Sequence, residues 1–280
     1  VRATSNPAFR NLPSSGGYAG FDTRSAPGGA QPGYGQTSYG GYGPATGSAD
    51  RPMTVDDVVI KTGITLAVTF LTGIITAVWA MGRIDAGLSM GPITGAMIGG
   101  MIVGLICALV VIFKKTPNPA LVLTYAAAEG VFLGAITGVF EAFVARGIAL
   151  QAIMATGIVF AVMLVVYKTG AVKVTPRLTK WVIGAAVGAA AFMLINLLVG
   201  MFTGGSGIGI RDGGPLAIVF SLVVIGIAAF MLLLDFDMAD QMIRQQMPQK
   251  WAWYAAFGLM TTLVWLYLEI LRLLSYLQSD

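Results

Sequence analysis

Apolar residues along the chain gather into seven runs, at about 59–80, 91–113, 119–145, 148–168, 180–203, 215–237 and 252–276, joined by short polar connections. A run of roughly twenty such residues crosses the ~30 Å hydrocarbon core of a bilayer as an α-helix, so the pattern predicts seven membrane-spanning helices. Residues 1–52 differ in kind: Gly, Pro, Ser and Tyr dominate, as in Tyr34-Gly-Gln-Thr-Ser-Tyr39-Gly-Gly-Tyr42, and aliphatic residues are almost absent. Such a segment cannot bury enough apolar surface to offset chain entropy. It is expected to be a disordered tail, either a solvated leader or a Tyr/Gly-rich interaction or phosphorylation segment. Residues 53–280 then form the membrane domain, beginning where Thr54 can cap a helix and Asp56 and Asp57 favour its positive end.

Lysine and arginine sort onto alternate connections. With the tail taken as inside, inner segments hold ten basic residues: Arg51, Lys61, Lys114, Lys115, Lys168, Lys173, Arg177, Lys180, Arg244 and Lys250. Outer ones hold four, Arg83, Arg146, Arg211 and Arg272. Because cytoplasmic loops collect positive charge, this predicts a cytoplasmic N-terminus and an external C-terminus. The opening residues Val1-Arg-Ala-Thr-Ser-Asn-Pro lead into no apolar segment, so no cleavable signal peptide is expected and the first span serves as the targeting signal.

Composition narrows the chemistry. Of 280 residues 56% are hydrophobic and 11% charged, far below the quarter typical of soluble domains. The fold class is therefore all-α and polytopic. Histidine is absent and Cys107 is the only cysteine, which excludes disulfides, His/Cys zinc sites and His-dependent nucleophilic catalysis. No cofactor is expected, and no enzymatic activity. The loop Gly204-Gly-Ser-Gly-Ile-Gly-Ile-Arg-Asp-Gly-Gly-Pro215 has neither a preceding strand nor a following Lys-Ser/Thr, so it reads as a flexible connection and not a phosphate cradle. Basic loops at a pI of 9.2 are topology determinants, and the bilayer, not nucleic acid, is the expected partner.

Small residues recur at helix-face spacing: Gly130, Gly134 and Gly138 in span three, Gly95, Gly99, Gly100 and Gly104 in span two, Gly184 and Gly188 in span five. Small residues four apart let helices approach closely in lipid, which predicts tight packing within the bundle. Trp79, Trp251, Trp253 and Tyr254 fall near span ends as interfacial anchors.

The polar groups inside spans are mostly acids, and a charge at mid-bilayer costs roughly 2.5–3.5 kcal/mol on insertion scales, so each needs a reason. Glu141 and Arg272 lie near outer span ends, where they can snorkel. Glu129 adjoins the glycine seam and points inward, either as a structural hydrogen-bonding carboxyl or as part of a path. Asp235 and Asp237 stand about 200° apart on their helix, so one faces the bundle. Glu269 can pair with Arg272 three residues on; alternatively, Asp235 and Glu269 meet across spans six and seven and share a proton, offering hard oxygens to Ca²⁺. At ~1.5 Å per residue, Asp235 is about 14 Å from Arg244 and Glu269 about 28 Å from Lys250, so straight helices would not set them level.

Three stretches carry a family resemblance: Glu129-Gly-x-x-x-Gly134, Leu234-Asp235-Phe-Asp237-Met-Ala-Asp240-Gln241, and Leu266-Tyr-Leu-Glu269-Ile-Leu-Arg272-Leu. Over roughly 53–280 the chain resembles the Bax inhibitor-1 (transmembrane Bax inhibitor motif) family, more closely its bacterial YccA-like branch. The resemblance implies a seven-helix bundle around a central helix, in a bacterial plasma membrane. It further implies a pH-sensitive calcium leak gated by two acids from the last two spans. Those would be Asp235, with Asp237 as the other register, and Glu269, a glutamate in place of the second aspartate; Ca²⁺ would bind only transiently. The other reading is a non-channel protein that binds and modulates a membrane protease or another integral partner through its tail.

Overall fold

The computed structural model describes residues 51–202 and 213–278. The tail, the greater part of the Gly-rich loop and the last two residues lie outside them. Seven helices are long and apolar enough to cross a membrane among the described residues: α1 Val55–Asp85, α2 Gly91–Lys114, α3 Pro119–Phe143, α4 Ile148–Thr169, α5 Pro176–Phe202, α6 Pro215–Arg244 and α7 Ala252–Gln278. Each of the seven expected spans is present. α1 and α6 run several residues further than their apolar runs, as polar final turns continue each helix past the hydrocarbon.

Local signals set the boundaries. Thr54 caps α1 in a capping box with Asp57, and Asn118 caps α3 by accepting from the Ala120 amide at 2.9 Å. Proline opens α3, α5 and α6, where its missing N–H costs nothing. A single 3₁₀ turn, Gln249–Trp251, leads into α7.

α7 is the axis of the bundle. It packs against α1, α3, α4 and α6, and fifteen of its residues are buried. α3 and α7 are the least apolar spans and the most buried, whereas α2, α4 and α5 are strongly apolar and mostly exposed. That inversion is what lipid as solvent produces: burial is driven by close packing and hydrogen bonding, and apolar side chains face the acyl chains.

The seam between α1 and α3 shows the close packing directly. A Cβ placed on Gly130 would collide with Thr72 and with the Thr69 carbonyl, one on Gly134 with the Gly73 carbonyl, and one on Gly138 with Ala80. On the other face of α3, Gly100 of α2 sits against the Ala128 carbonyl and the Phe132 amide. Gly95, Gly99, Gly184 and Gly188 depart from the expectation: a Cβ on any of them meets nothing within 4 Å. Spacing alone does not distinguish a packing face from a lipid-facing one. α5 packs mainly against α6, so its glycines have no helix to approach.

Candidate functional site

Asp235 lies nine residues before the C-terminus of α6, on the face turned towards α7. It is 8% exposed. Gly258 of α7 makes room for it; a Cβ there would stand 3.7 Å from Asp235 Oδ1. One turn further, the buried Thr262 hydroxyl donates to Asp235 Oδ2 at 2.5 Å. Gly258 and Thr262, four residues apart, thus form a notch and a donor on one face of α7, and the carboxyl of α6 occupies it. Asp237 faces elsewhere, accepting from the Gln241 side chain one turn along its own helix. The 200° argument therefore resolves in favour of Asp235.

Glu269 is more deeply buried, at 2% exposure. Arg272 Nη1 donates to its Oε1 at 3.3 Å, so the expected i,i+3 pair is formed. The structure does not bring Glu269 to Asp235. Thr262, the partner of Asp235, is seven residues before Glu269, two helical turns or about 10.5 Å of rise, and Gly258 places the Asp235 carboxyl further away still. The reason is register: antiparallel α6 and α7 bring residue 235 opposite residues 258–262, as the depth count anticipated. The two acids lie at different depths of the bundle.

A third acid in the spans, on α3, faces α2. Glu129 of α3 points at Gly104 of α2, where a Cβ would stand 3.1 Å from Oε1, and Tyr125 lies one turn before it on the same helix. Tyr125 Oη is 3.2 Å from Thr261 Oγ1, the neighbour of Thr262 on α7. The Tyr125–Thr261 and Thr262–Asp235 bonds thus tie adjacent residues of α7 to α3 and to α6. Hydroxyls in apolar runs carry no signal of their own; only the four-residue spacing of Gly258 and Thr262 hinted at the notch.

Two further acids have structural roles. Glu141 accepts from the Gly147 and Ala149 amides at 2.7 and 2.8 Å. It caps α4, whose own N-cap, Gly147, has no side chain to do so. That corrects the expectation of a snorkelling carboxylate: α3 and α4 are joined tightly enough for the acid to reach the next helix. Asp57 is buried at the start of α1, where Arg51 grips it through two bonds of 2.9 and 2.7 Å and Gln249 donates to it at 2.8 Å. Met53 and Gln249 add backbone bonds to Met247 and Arg51, and Lys61 donates to the Gln249 carbonyl at 2.7 Å. The entry to α1 is thereby fastened to the α6–α7 connection.

The family model for Bax inhibitor 1 like proteins matches residues 6–279. The chain belongs to this family. None of the curated proteins compared with the chain matches it. Among the described residues no three His, Cys, Asp or Glu side chains gather as a metal site. Since Ca²⁺ takes six to eight oxygens, Asp235 and Glu269 could supply only part of a shell, and at separate levels. As a member of the Bax inhibitor 1 like family the chain is thus a multi-pass membrane protein with a buried acid at the α6–α7 interface and another acid between α2 and α3.

Proposed function

We propose that the protein is not an enzyme but a passive, pH-sensitive leak for cations, Ca²⁺ or protons, in a bacterial plasma membrane, with the start of α1 on the cytoplasmic side. The observation that carries this reading is Asp235: an acid buried at the interface of two spans, held by one hydroxyl and no basic side chain that the structure pairs with it among the described residues. Intramembrane acids of this kind usually serve ion or proton paths. Its charge state alters the joint between α6 and α7. Ionised, it accepts from Thr262; protonated, it becomes a donor as well, and the Thr262 hydroxyl is free to turn to its own helix. The bond that locks α6 to α7 therefore depends on one proton, a local event of the kind that biases a two-state element. Glu269, held by Arg272, and Glu129, beside Tyr125, would provide further acceptor sites along the bundle. The alternation of basic connections supports the orientation.

Proteoliposome flux of Ca²⁺ and of protons, measured from pH 5 to 9, tests this. The wild-type rate should change with pH. Asp235→Asn should make it pH-independent, and Thr262→Val should displace the profile while keeping it. An unchanged profile in Asp235→Asn would refute the switch. Absence of flux at every pH in the wild-type protein would favour a non-channel modulator of a membrane protease or other integral partner.

A further inference from the structure

A crevice with a cavity volume of about 450 Å³ runs along the side of the bundle, away from the Asp235 notch. Its walls are α1 and α4, which are not packed on one another as α1 is on α3 and α4 on α7. Leu133 and Gly134 of α3 and Leu263 and Tyr267 of α7 form its floor. Phe70, Ile74 and Val78 line the α1 wall and are 46%, 60% and 63% exposed, so the crevice opens sideways into the bilayer.

The few polar groups in it are already engaged. Thr69 donates to the Thr65 carbonyl at 3.0 Å and Thr156 to that of Ala152 at 2.7 Å, and the Thr137 and Tyr267 hydroxyls pair at 2.8 Å. Glu141, at one end, is occupied by the two α4 amides. What remains on offer is methyl, methylene and ring surface. That excludes an ion and a sugar, and suits a hydrocarbon chain. The dimensions agree: along α4 the lining extends from Ala149 to Phe160, about 16 Å of rise or roughly half the ~30 Å hydrocarbon core. It starts at the α3–α4 connection and along α1 extends from Met81 back to Leu66, about 22 Å of rise, so it opens at one leaflet and reaches past the midplane. At that mouth, between the lining residues Glu141 and Ala149, Arg146 has a side chain 80% exposed with a 3.8 Å contact to Asp85. A cation at headgroup depth complements a phosphate.

We propose that this crevice is a lipid site that takes one acyl chain of a phospholipid from the leaflet at the C-terminal end of α1, with the lipid phosphate at Arg146. The site is independent of the leak, because none of its lining residues belongs to the acids assigned to the path.

The full-length protein, purified in mild detergent, incubated with a two-chain phosphatidylglycerol and then washed, can be read by native mass spectrometry. The wild type should retain one lipid. Gly157 lines the crevice and a Cβ on it meets no atom within 4 Å, so the side chain of Gly157→Phe starts into open space and occupies crevice volume. It should lower retention by about tenfold, equivalent to losing contact for roughly two buried methylenes. Ala77→Phe, entering from the opposite wall, should do the same if Gly157→Phe does not fold. Gly188→Phe, on the open face of α5, should retain lipid like the wild type, and Arg146→Gln should weaken retention. Phosphoglycerol lacking acyl chains should not displace the lipid. Equal retention in both crevice-filling variants and the wild type, no retained lipid in the wild type, or displacement by phosphoglycerol would overturn the proposal.

Discussion

Gly134→Ala tests the physical account of the bundle, because a single methyl group is asked to fit where two backbones meet. The added Cβ would overlap the Gly73 carbonyl and lie 2.8 Å from Thr76 Cβ and 3.0 Å from the Gly73 carbonyl carbon. Ordinary contact is 3.5–4.0 Å. No side-chain rotation relieves a collision with main chain, so α1 and α3 must separate along a seam that also holds Gly130 and Gly138. Overpacking of this kind costs typically 1–3 kcal/mol, and a backbone obstacle puts it near the upper end. Alanine returns ~1 kcal/mol of helix propensity relative to glycine, which leaves a net loss of about 2 kcal/mol. Gly184→Ala is the matched control: the same methyl, in a helix of the same chain, entering open space. It should be neutral or gain up to ~1 kcal/mol. Equilibrium unfolding in mixed detergent–SDS micelles measures both. Equal stability of Gly134→Ala and the wild type, or an equal loss in Gly184→Ala, would refute the claim that the seam is closed at backbone contact.

Asp57→Ala should destabilise the protein by about 1–3 kcal/mol, since it leaves Arg51 and Gln249 without their shared acceptor. Limited proteolysis should then cut more rapidly at the α6–α7 connection, and unchanged cleavage would show that the fastening is incidental. Glu141→Ala should cost about 1 kcal/mol through the lost cap on α4, and amide exchange at Gly147 and Ala149 should quicken. Protection equal to the wild type would contradict the cap.

The spans were legible because a bilayer imposes a length on every apolar run, and the polar breaks at Thr54, Asn118, Gly147 and Gly170 are local. The Glu269–Arg272 pair was legible for the same reason, as both partners lie on one helix face. That one of Asp235 and Asp237 faces inward could be read, but the partner could not, because Thr262 becomes a partner only once the register of α6 against α7 is known. The Asp57 cluster joins residues 192 apart in the chain, and nothing near Asp57 announces Gln249. Glycine spacing was informative only in part. It marked Gly130, Gly134 and Gly138 correctly, yet gave the same signal for Gly184 and Gly188, where composition cannot say whether a neighbouring helix exists.

The position of α7 at the axis has a consequence for biosynthesis. The helix that α1, α3, α4 and α6 surround is inserted after all of them, and the Thr69–Met260 contact of 3.7 Å closes across 191 residues. Each earlier helix can enter the membrane as it leaves the ribosome, but the side chains that will face α7 have only lipid, or one another, until it arrives. The contacts of α7 with α1 and α3 are non-local, and contacts of that kind slow folding. A chain ending before residue 252 would leave six helices around an unfilled centre, a state in which membrane quality control could recognise it.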